Sequence, residues 1–276
     1  MKQVCFQENW PASWKGSYSY DLEEVYGKVT HRGYAYAYHN RRNHTLRLLQ
    51  EVLPPGANIL DIAAAQGNFS LALAEMGYKV IWNDLRGELA DYVRLKHERG
   101  DIHFAPGNAF ELNFSAPLDA ILITEIIEHV AHPDDFLLKT AQLVKPGGYI
   151  VMTTPNGAYF GNDLPRFSDC PDPSVYESVQ FKPNSDGHIF LLHPDEVYRL
   201  AERAGLEVEK IVLFNNPLTQ GFLKMEMLLR VLPRVLVEKI EVVTQHLPAP
   251  LNRKVLIQMA ARFRKKTLSG ATLKGH

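Results

Sequence analysis

The sequence is poor in cysteine, in long apolar runs and in excess charge of either sign. Its 276 residues include two cysteines, Cys5 and Cys170, which cannot form the disulfide framework of a small secreted domain. No uncharged apolar stretch approaches the roughly 18 residues that a transmembrane helix needs. Residues 1–16 lack the continuous apolar segment of a secretory signal. These absences predict a soluble protein of the cytoplasm, where thiols stay reduced.

The charge balance argues against some classes of partner. The 30 Lys and Arg residues nearly match the 31 Asp and Glu residues, and the net charge of −1 provides no general attraction to nucleic acid or anionic membrane. Hydrophobic residues make up 46% and charged residues 22%, as in ordinary globular proteins. A chain of 276 residues is long for one domain and short for two, so we expect one core domain with additions.

Strand-like and helix-like segments alternate along the middle of the chain. Short apolar runs predict strands at residues 58–62, 79–84, 102–105, 118–124, 149–154 and 206–214, and helical patterns occupy residues 68–76, 88–99, 134–144 and 194–204. Strand–helix alternation with short connections predicts a mostly parallel sheet with helices on both faces, which is a doubly wound α/β fold.

Other segments interrupt this alternation. We divide the chain into an aromatic and helical N-terminal cap (1–55), the core (56–216), a helical insertion (217–250), and a last strand near residues 255–262 with a basic tail (251–276). The helical pattern of the cap begins near Tyr36. Within the core, the proline-containing loop at residues 156–187 is too long to lack a function. We interpret the insertion as a cap over the pocket; dimerisation and peripheral contact with a membrane through its amphipathic face are the alternatives.

The most informative stretch is ILDIAAAQGN, at residues 59–68. A buried strand ends in Asp61, and a tight loop of small residues leads into a helix. Small side chains let a ligand approach the backbone, and a helix N-terminus offers free N–H groups. A carboxylate there suits a cofactor that carries a positive amino group better than one that carries pyrophosphate.

The spacing of the small residues distinguishes this loop from a dinucleotide-binding loop. Ala63, Ala65 and Gly67 follow G-x-G-x-G spacing with two alanines substituted, and Asn68 stands next to them. A dinucleotide loop instead has G-x-G-x-x-G spacing. We expect both alanines at negative φ, where a methyl group is tolerated.

Two further polar residues follow the next strands. Asp84 closes the second strand, where a carboxylate can accept both ribose hydroxyls of a nucleoside, and Asn108 follows the third, where an amide can bind an adenine edge. The adjacent Leu85 and Ala109 are predicted to line the same site, because ligands bind at the carboxyl ends of the strands in open α/β sheets. Asp61 or Asp84 alone fits a helix cap or a turn equally well. The ordered set favours a nucleoside-containing cofactor.

Taken in order, these motifs resemble those of the class I S-adenosylmethionine (SAM)-dependent methyltransferases, and within that class most of all the ubiquinone-biosynthesis O-methyltransferases. The matching residues are LDIAAAQG at 60–67, Asp84, Asn108, EIIEHV at 125–130, KPGG at 145–148 and TPN at 154–156. The resemblance implies a seven-stranded, Rossmann-like methyltransferase fold whose last strand is antiparallel and inserted beside the fifth. It implies that Asp61, Gly67, Asp84 and Asn108 line the cofactor. With their neighbours, our predicted SAM site comprises Asp61, Ala63, Ala65, Gly67, Asn68, Asp84, Leu85, Asn108, Ala109 and Glu125.

A second motif, E-x-x-E-H, lies at the end of the fourth predicted strand. If the chain turns helical there, its spacing places Glu125, Glu128 and His129 on one face, where they form a partial site for a divalent metal. The spacing alone fits equally well a first helical turn with favourable acids and a solvated histidine. The motif is similar to the metal-binding segment of the ubiquinone-type enzymes and of the small-RNA 3′-terminal ribose methyltransferases. The latter resemblance implies a fourth ligand after the fifth strand, which is His188 in the sequence DGHIF at 186–190; His193 is its competitor.

These motifs predict the chemistry. We predict that Glu125, Glu128, His129 and His188 bind Mg, Mn, Fe or Zn, that the metal lowers the pKa of a substrate hydroxyl, and that His129 and His188 are catalytic, with His129 as the base. The reaction would be O-methylation of a small molecule or glycan. A 3′-terminal RNA ribose 2′-O-methyltransferase and a non-catalytic SAM-binding protein remain alternatives; the net charge of −1 argues against RNA.

Aromatic and basic residues of the cap and the long loop are candidates for the substrate pocket. Lids over such sites commonly come from segments of this kind. Aromatic walls are predicted from Tyr18, Tyr34, Tyr36, Tyr159, Phe160 and Phe167, with ordinary packing over the sheet as the alternative. Arg41 and Arg42 are candidate partners of the cofactor carboxylate or of an anionic substrate, and equally fit a solvated position.

Overall fold

The computed structural model describes residues 1–180 and 187–267. Its strands are β1 (Asn58–Ile62), β2 (Lys79–Trp82), β3 (Asp101–Phe104), β4 (Leu118–Thr124), β5 (Val144–Pro155), β6 (Leu206–Phe214) and β7 (Gln258–Lys265). They form one sheet in the order β3-β2-β1-β4-β5-β7-β6, in which β7 pairs antiparallel with β5 and β6 and the other pairs are parallel. The predicted doubly wound α/β fold, with an antiparallel last strand beside the fifth, is confirmed.

The helices cover both faces of this sheet. They are α1 (Ala12–Glu24), α2 (Arg32–Gln50), α3 (Asn68–Glu75), α4 (Leu89–Lys96), α5 (Pro133–Leu143), α6 (Pro194–Arg203), α7 (Leu223–Val231), α8 (Arg234–Gln245) and α9 (Ala249–Val255). Side chains alternate between faces along β1 and β4. One apolar cluster contains Leu60 and Ile121 under α5 and α6, and the other contains Ile59 and Leu122 under α2 and α3. Because both faces are covered, these strands are almost continuously apolar. Burial of each Leu or Ile side chain contributes about 1.5–3 kcal/mol to the stability of the fold.

The N-terminal cap is more helical than the sequence pattern indicates. α2 begins at Arg32, ahead of the predicted start near Tyr36, and α1 was not predicted. The sequence of α1 has no apolar stripe, and its buried residues are Ser17, Asp21, Glu23 and Glu24. Polar contacts with the core therefore hold α1 in place, as described below.

The segment between β6 and β7 carries three helices. α7 packs against α2, where Leu229 is buried and its carbonyl accepts a hydrogen bond from Arg32 at 3.2 Å. The other sides of α7 and α8 expose apolar residues, among them Met227, Val231, Val235 and Val243. α9 extends to Val255, so β7 starts at Gln258 and the predicted start of the last strand at Val255 is wrong. Within the part of the chain that the structure describes, no helix is both long and apolar enough to cross a membrane.

The described part of the long loop, residues 156–180 and 187, follows the carboxyl end of β5 and precedes α6. Short 3₁₀ turns at Phe167–Asp169 and Pro173–Tyr176 pack Phe167 and Tyr176 edge-to-face on the buried Phe190. Asp186 of the predicted DGHIF motif lies outside the described residues, as does the end of the basic tail.

Candidate active site

Most of the predicted cofactor residues surround two adjoining cavities at the carboxyl ends of β1, β2 and β4. The cavities share Ala63, Leu85 and Ile126. The first, of about 390 Å³, is mainly apolar and is called the apolar cavity. Its walls include Ile62, Asn108, Ala109, Phe110, Val130 and Phe136. The second, of about 420 Å³, is called the loop cavity. Its walls include residues 63–66 of the β1–α3 loop, Asp84, Glu125 and His129, together with Glu24, Tyr38 and Arg41 from the cap.

The loop after β1 bends through three left-handed residues. Ala63 has φ 53°, Ala65 has φ 47° and Gly67 has φ 73°, so the expectation that both alanines lie at negative φ is wrong. A left-handed alanine costs roughly 1–2 kcal/mol, and contacts with β2 and the residues after it hold the loop in this shape. The Ala65 N–H donates to Asp84 at 2.9 Å, and the Ala65 carbonyl accepts from Trp82 Nε1 at 3.0 Å.

The one glycine of this loop stands where a side chain does not fit. A Cβ on Gly67 would lie 2.8 Å from both methyl groups of Val93 and 3.3 Å from Trp82 Cδ1. The left-handed φ would add strain to these clashes. The tight packing of the loop on α4 and β2 therefore requires glycine at this position but accepts alanine at the two others.

Asp84 and Asn108 lie where the sequence predicts nucleoside-binding groups. In this structure both side chains make hydrogen bonds to other groups of the protein. The buried Asp84 carboxylate accepts from the Ala65 N–H and also from Arg86, through its N–H at 2.8 Å and its guanidinium at 3.1–3.2 Å. Asn108 caps the 3₁₀ turn Ala109–Glu111. Leu85 is 61% exposed and lines both cavities, so it gives each of them an apolar surface.

Asp61 is buried behind the loop and lines neither cavity. Its Oδ2 accepts a hydrogen bond from Ser70 Oγ at 2.6 Å, and its Oδ1 has no partner among the described residues. Burial, with a smaller contribution from the Asp84 charge, raises the pKa of Asp61 to about 7. The folded chain thus holds a proton on Asp61 that the unfolded chain releases near pH 4.

We expect Asp61 to make stability depend on pH. Because the pKa is raised in the folded state, the free energy of unfolding falls as pH rises from about 4 to 7 and then levels off. Asp61→Asn mimics the protonated form. The free energy of unfolding of the variant, measured relative to that of the wild type, should therefore be about 2 kcal/mol higher at pH 8 than at pH 5. Urea unfolding of both proteins at the two pH values measures this difference, since the other buried carboxyls are common to both. Parallel pH profiles would contradict the prediction.

Asn68 joins the cofactor loop to the N-terminal cap. Its Nδ2 donates to Asp21 and Glu24 on α1, each at 2.8 Å, and its Oδ1 accepts from Lys96 at 2.7 Å. The Lys96 ammonium also pairs with Asp21 at 2.7 Å, and both side chains are fully buried. Asn68 lines the loop cavity as predicted, whereas the sequence analysis missed Asp21, Glu24 and Lys96 because their role depends on where α1 packs.

Glu125 adopts a left-handed conformation at the end of β4, with φ 52°. Its Oε2 pairs with Arg41 Nη1 at 3.2 Å and accepts weakly from Gln258 at 3.4 Å. Arg41 lines the loop cavity, whereas Arg42 lines none of the cavities described in this section. Arg41 is therefore the one of the two predicted arginines that faces the cofactor region.

Glu128, His129 and His188 come together, although the two histidines are 59 positions apart in the sequence. One ligand atom from each lies within 4.8 Å of the other two, and Glu125 is not part of this group. The link between the segments is a backbone hydrogen bond of 2.7 Å from Ile189 N–H to the Glu128 carbonyl. The buried Glu128 accepts from Thr154 at 3.0 Å, and its other oxygen has no partner among the described residues. We call Glu128, His129 and His188 the triad.

Burial shifts the pKa values of two members of the triad, Glu128 and His188. Burial and the nearby Glu125 charge raise the pKa of Glu128 well above its usual range. Burial and the neighbouring His129 lower the pKa of His188, so its imidazole is neutral at pH 7. A neutral imidazole is the form that binds metals.

A third cavity of about 410 Å³, called the tyrosine cavity, adjoins the loop cavity and shares Tyr38, Arg41 and Glu125 with it. Tyr34, Tyr159, His188, Gln220, Phe222 and Gln258 also line it. The other four predicted aromatic residues lie elsewhere. Tyr18 packs on Trp10, Phe167 packs on Phe190, Phe160 is exposed, and Tyr36 lines none of the three cavities.

The comparisons with known proteins agree with this geometry. The profile of the methyltransferase domain family matches residues 33–211, more than half of the chain, so the chain belongs to this family. The protein is a SAM-dependent methyltransferase. It is 26% identical, over 172 residues, to the ubiquinone biosynthesis O-methyltransferase of Aromatoleum aromaticum, a match that covers 60% of this chain and 71% of the relative.

Two solved structures show the same fold with S-adenosylhomocysteine (SAH) bound. The magnesium protoporphyrin IX methyltransferase from Synechocystis PCC 6803 has a TM-score of 0.56 at 10% identity, covering 92% of this chain and 93% of that one. The N-methyltransferase NodS from Bradyrhizobium japonicum WM9 has a TM-score of 0.52 at 13% identity, covering 93% and 100%. At these identities the likeness establishes the fold alone.

Proposed function

We propose that the protein methylates a hydroxyl oxygen of a small molecule or glycan with the help of a divalent metal. The observation that carries the proposal is the triad of Glu128, His129 and His188, whose His188 also lines the tyrosine cavity beside the cofactor region. The relative from Aromatoleum aromaticum is named as an O-methyltransferase, which supports oxygen as the acceptor atom.

The triad fits a divalent ion. One carboxylate oxygen and two imidazole nitrogens lie within 4.8 Å of one another, while ligand atoms on opposite sides of an ion with bonds of about 2.1 Å are separated by about 4.2 Å. Glu128 has one buried oxygen without a partner among the described residues, and a cation there would favour its charged form. Two histidines favour Mn, Fe or Zn over Mg, which prefers an all-oxygen shell. Glu125 is held by Arg41, so we propose the triad as the ligand set.

The cavities fit the parts of the cofactor. The apolar cavity suits a flat adenine ring beside Leu85. The loop cavity suits the ribose, at Asp84, and the charged methionine tail. When bound, SAM supplies a methyl group on a positively charged sulfur. The protein then has to align that methyl group with an oxygen in the tyrosine cavity, because an in-line displacement depends chiefly on orientation.

The residues of the triad have separate tasks in this proposal. A divalent ion would supply Lewis-acid chemistry that lowers the pKa of the acceptor hydroxyl. His129 Nδ1 lies 3.3 Å from the Gly187 carbonyl, which orients its ring and would leave Nε2 as the ligand atom. With both ring nitrogens engaged, His129 would have no lone pair for the hydroxyl proton. In this proposal it therefore serves as a ligand and not as the predicted base, and the proton passes to solvent. His188 would supply the second imidazole ligand, and its ring centroid lies 4.9 Å from that of His129.

Metal titration of the metal-free protein tests the proposal first. We expect one Mn²⁺ or Zn²⁺ to bind at micromolar affinity in calorimetry, and Glu128→Gln or His188→Ala to weaken this by at least about tenfold. His193→Asn is the matched control, because His193 begins α6 and asparagine also caps a helix well. It should bind metal like the wild type.

Methyl transfer completes the test. Labelled SAM with metal would be offered with vicinal diols of glycosides, with catechols, with primary amines and with an RNA oligonucleotide that has a free 3′-terminal ribose. Transfer to a glycoside or catechol that falls with the triad variants supports the proposal. Transfer that is unaffected by the triad variants would show that the metal has no part in the reaction. Transfer only to the RNA ribose favours the alternative acceptor, and transfer only to nitrogen acceptors overturns O-methylation.

A further inference from the structure

Glu24, near the end of α1, is a buried carboxylate in the loop cavity that has no positively charged partner. Its side chain is 5% exposed. Oε1 accepts from the Tyr34 hydroxyl at 2.6 Å, and Oε2 accepts from Asn68 at 2.8 Å and Gln66 at 3.1 Å. All three donors are neutral. Within residues 1–180 and 187–267, no Lys, Arg or His nitrogen lies within 4.0 Å of this carboxylate.

The nearest buried cations are committed elsewhere. Lys96 pairs with Asp21 at 2.7 Å, one turn earlier on α1, and Arg41 pairs with Glu125 at 3.2 Å. A buried charge without a counter-charge in contact is unfavourable, and burial raises the pKa of Glu24, although the more distant Arg41 charge acts in the opposite direction. The location suggests which cation completes the pair, because Glu24 lines the same cavity as the cofactor loop.

A complementary group faces the same cavity. Arg41 lies on α2, and its Nε is buried without a hydrogen-bond partner among the described residues. The cavity therefore offers a carboxylate from α1 and a free guanidinium donor from α2, and neither residue lines the apolar cavity. A ligand with one ammonium and one carboxylate on the same carbon matches this pair.

We infer that Glu24 binds the α-ammonium group of the SAM methionine tail, while Arg41 faces the α-carboxylate. The tail then gives the Glu24 carboxylate a positively charged partner and the Arg41 guanidinium a hydrogen-bond acceptor. Because Glu24 belongs to the cap, the same contact fastens α1 over the cofactor. Asn68 and Gln66, which hold Glu24 from the loop side, act as positioning residues for this carboxylate.

Ligands that differ only in their tail test the inference by calorimetry, without any methyl transfer. SAH has the whole amino-acid tail, its deaminated analogue has hydrogen in place of the α-amino group, and 5′-methylthioadenosine lacks the tail. We expect Glu24→Gln to weaken SAH binding by about 10–100-fold, as for the loss of a charge-assisted hydrogen bond. Binding of the deaminated analogue and of 5′-methylthioadenosine should stay within about threefold of the wild type.

Two variants complete the design. Glu23→Gln is the matched control, since the adjacent Glu23 is also buried but bonds to the Thr30 backbone outside the cavity. Its affinity for SAH should not change. Glu24→Asp keeps the charge and should recover part of the lost affinity. An equal loss for all three ligands would show that Glu24 only supports α1, and an unchanged affinity for SAH in Glu24→Gln would overturn the inference directly. If Glu24→Gln does not fold, equal wild-type affinities for SAH and the deaminated analogue overturn it.

Discussion

Replacing Lys96 by methionine is expected to lower the free energy of unfolding by about 3–5 kcal/mol, because the change leaves a buried carboxylate unpaired. The Lys96 and Asp21 side chains are both fully buried, and the Lys96 ammonium donates to Asp21 and Asn68, each at 2.7 Å. Asp21 also accepts from Tyr92 at 2.6 Å, so in the variant this carboxylate would keep two neutral donors and lose its cation. Urea unfolding followed by circular dichroism measures the loss.

Two controls separate the buried pair from a general effect of removing a lysine. The double variant Lys96→Met/Asp21→Asn should recover more than half of the lost stability, since no unpaired charge remains. Lys139→Met removes a lysine whose partner Asp135 lies one turn earlier on α5, and both side chains are about half exposed. It should change stability by less than about 0.5 kcal/mol. A small loss in Lys96→Met, similar to that in Lys139→Met, would contradict the prediction.

The sheet and the cofactor region could be predicted because their signals are local. Each strand of the core is a short apolar run, and the polar residues that matter come directly after a strand. The spacing of Ala63, Ala65 and Gly67 distinguishes the loop from a dinucleotide loop, and the strand order then brings Asp84 and Asn108 to the same edge. These inferences require no knowledge of distant contacts.

The missed features depend on contacts between distant residues. α1 has no apolar stripe, and its place is set by Asp21 with Lys96, 75 residues away. The left-handed φ of Ala65 is held by hydrogen bonds to Asp84 and Trp82, which lie 19 and 17 residues further along the chain. The same limit applies to Glu125, whose partner Arg41 comes from the cap. Sequence spacing therefore predicts which residues surround the site but not how they pair.

Asp84→Asn is expected to weaken SAH binding by about 100-fold or more, the effect of losing charge-assisted hydrogen bonds to two ribose hydroxyls. The prediction depends on Asp84 being the ribose ligand. Its carboxylate is buried at the end of β2, and Oδ2 accepts one hydrogen bond from the Ala65 N–H. An asparagine keeps the size of the side chain, so the loop should keep its shape. Calorimetric titration with SAH measures the change, and thermal unfolding without ligand checks the fold.

Arg86→Met should not weaken SAH binding, in contrast to Asp84→Asn. The half-exposed Arg86 guanidinium bonds to both oxygens of Asp84, at 3.1 and 3.2 Å, and these are the oxygens that we propose for the ribose hydroxyls. If Asp84 binds the ribose, cofactor binding has to displace Arg86, and removing the arginine removes that competition. We expect SAH to bind Arg86→Met as tightly as the wild type or a few-fold more tightly, since an exposed ion pair contributes about 0–1 kcal/mol. Weaker binding in both variants would instead mean that Arg86 and Asp84 bind the cofactor together, with the arginine turned towards it.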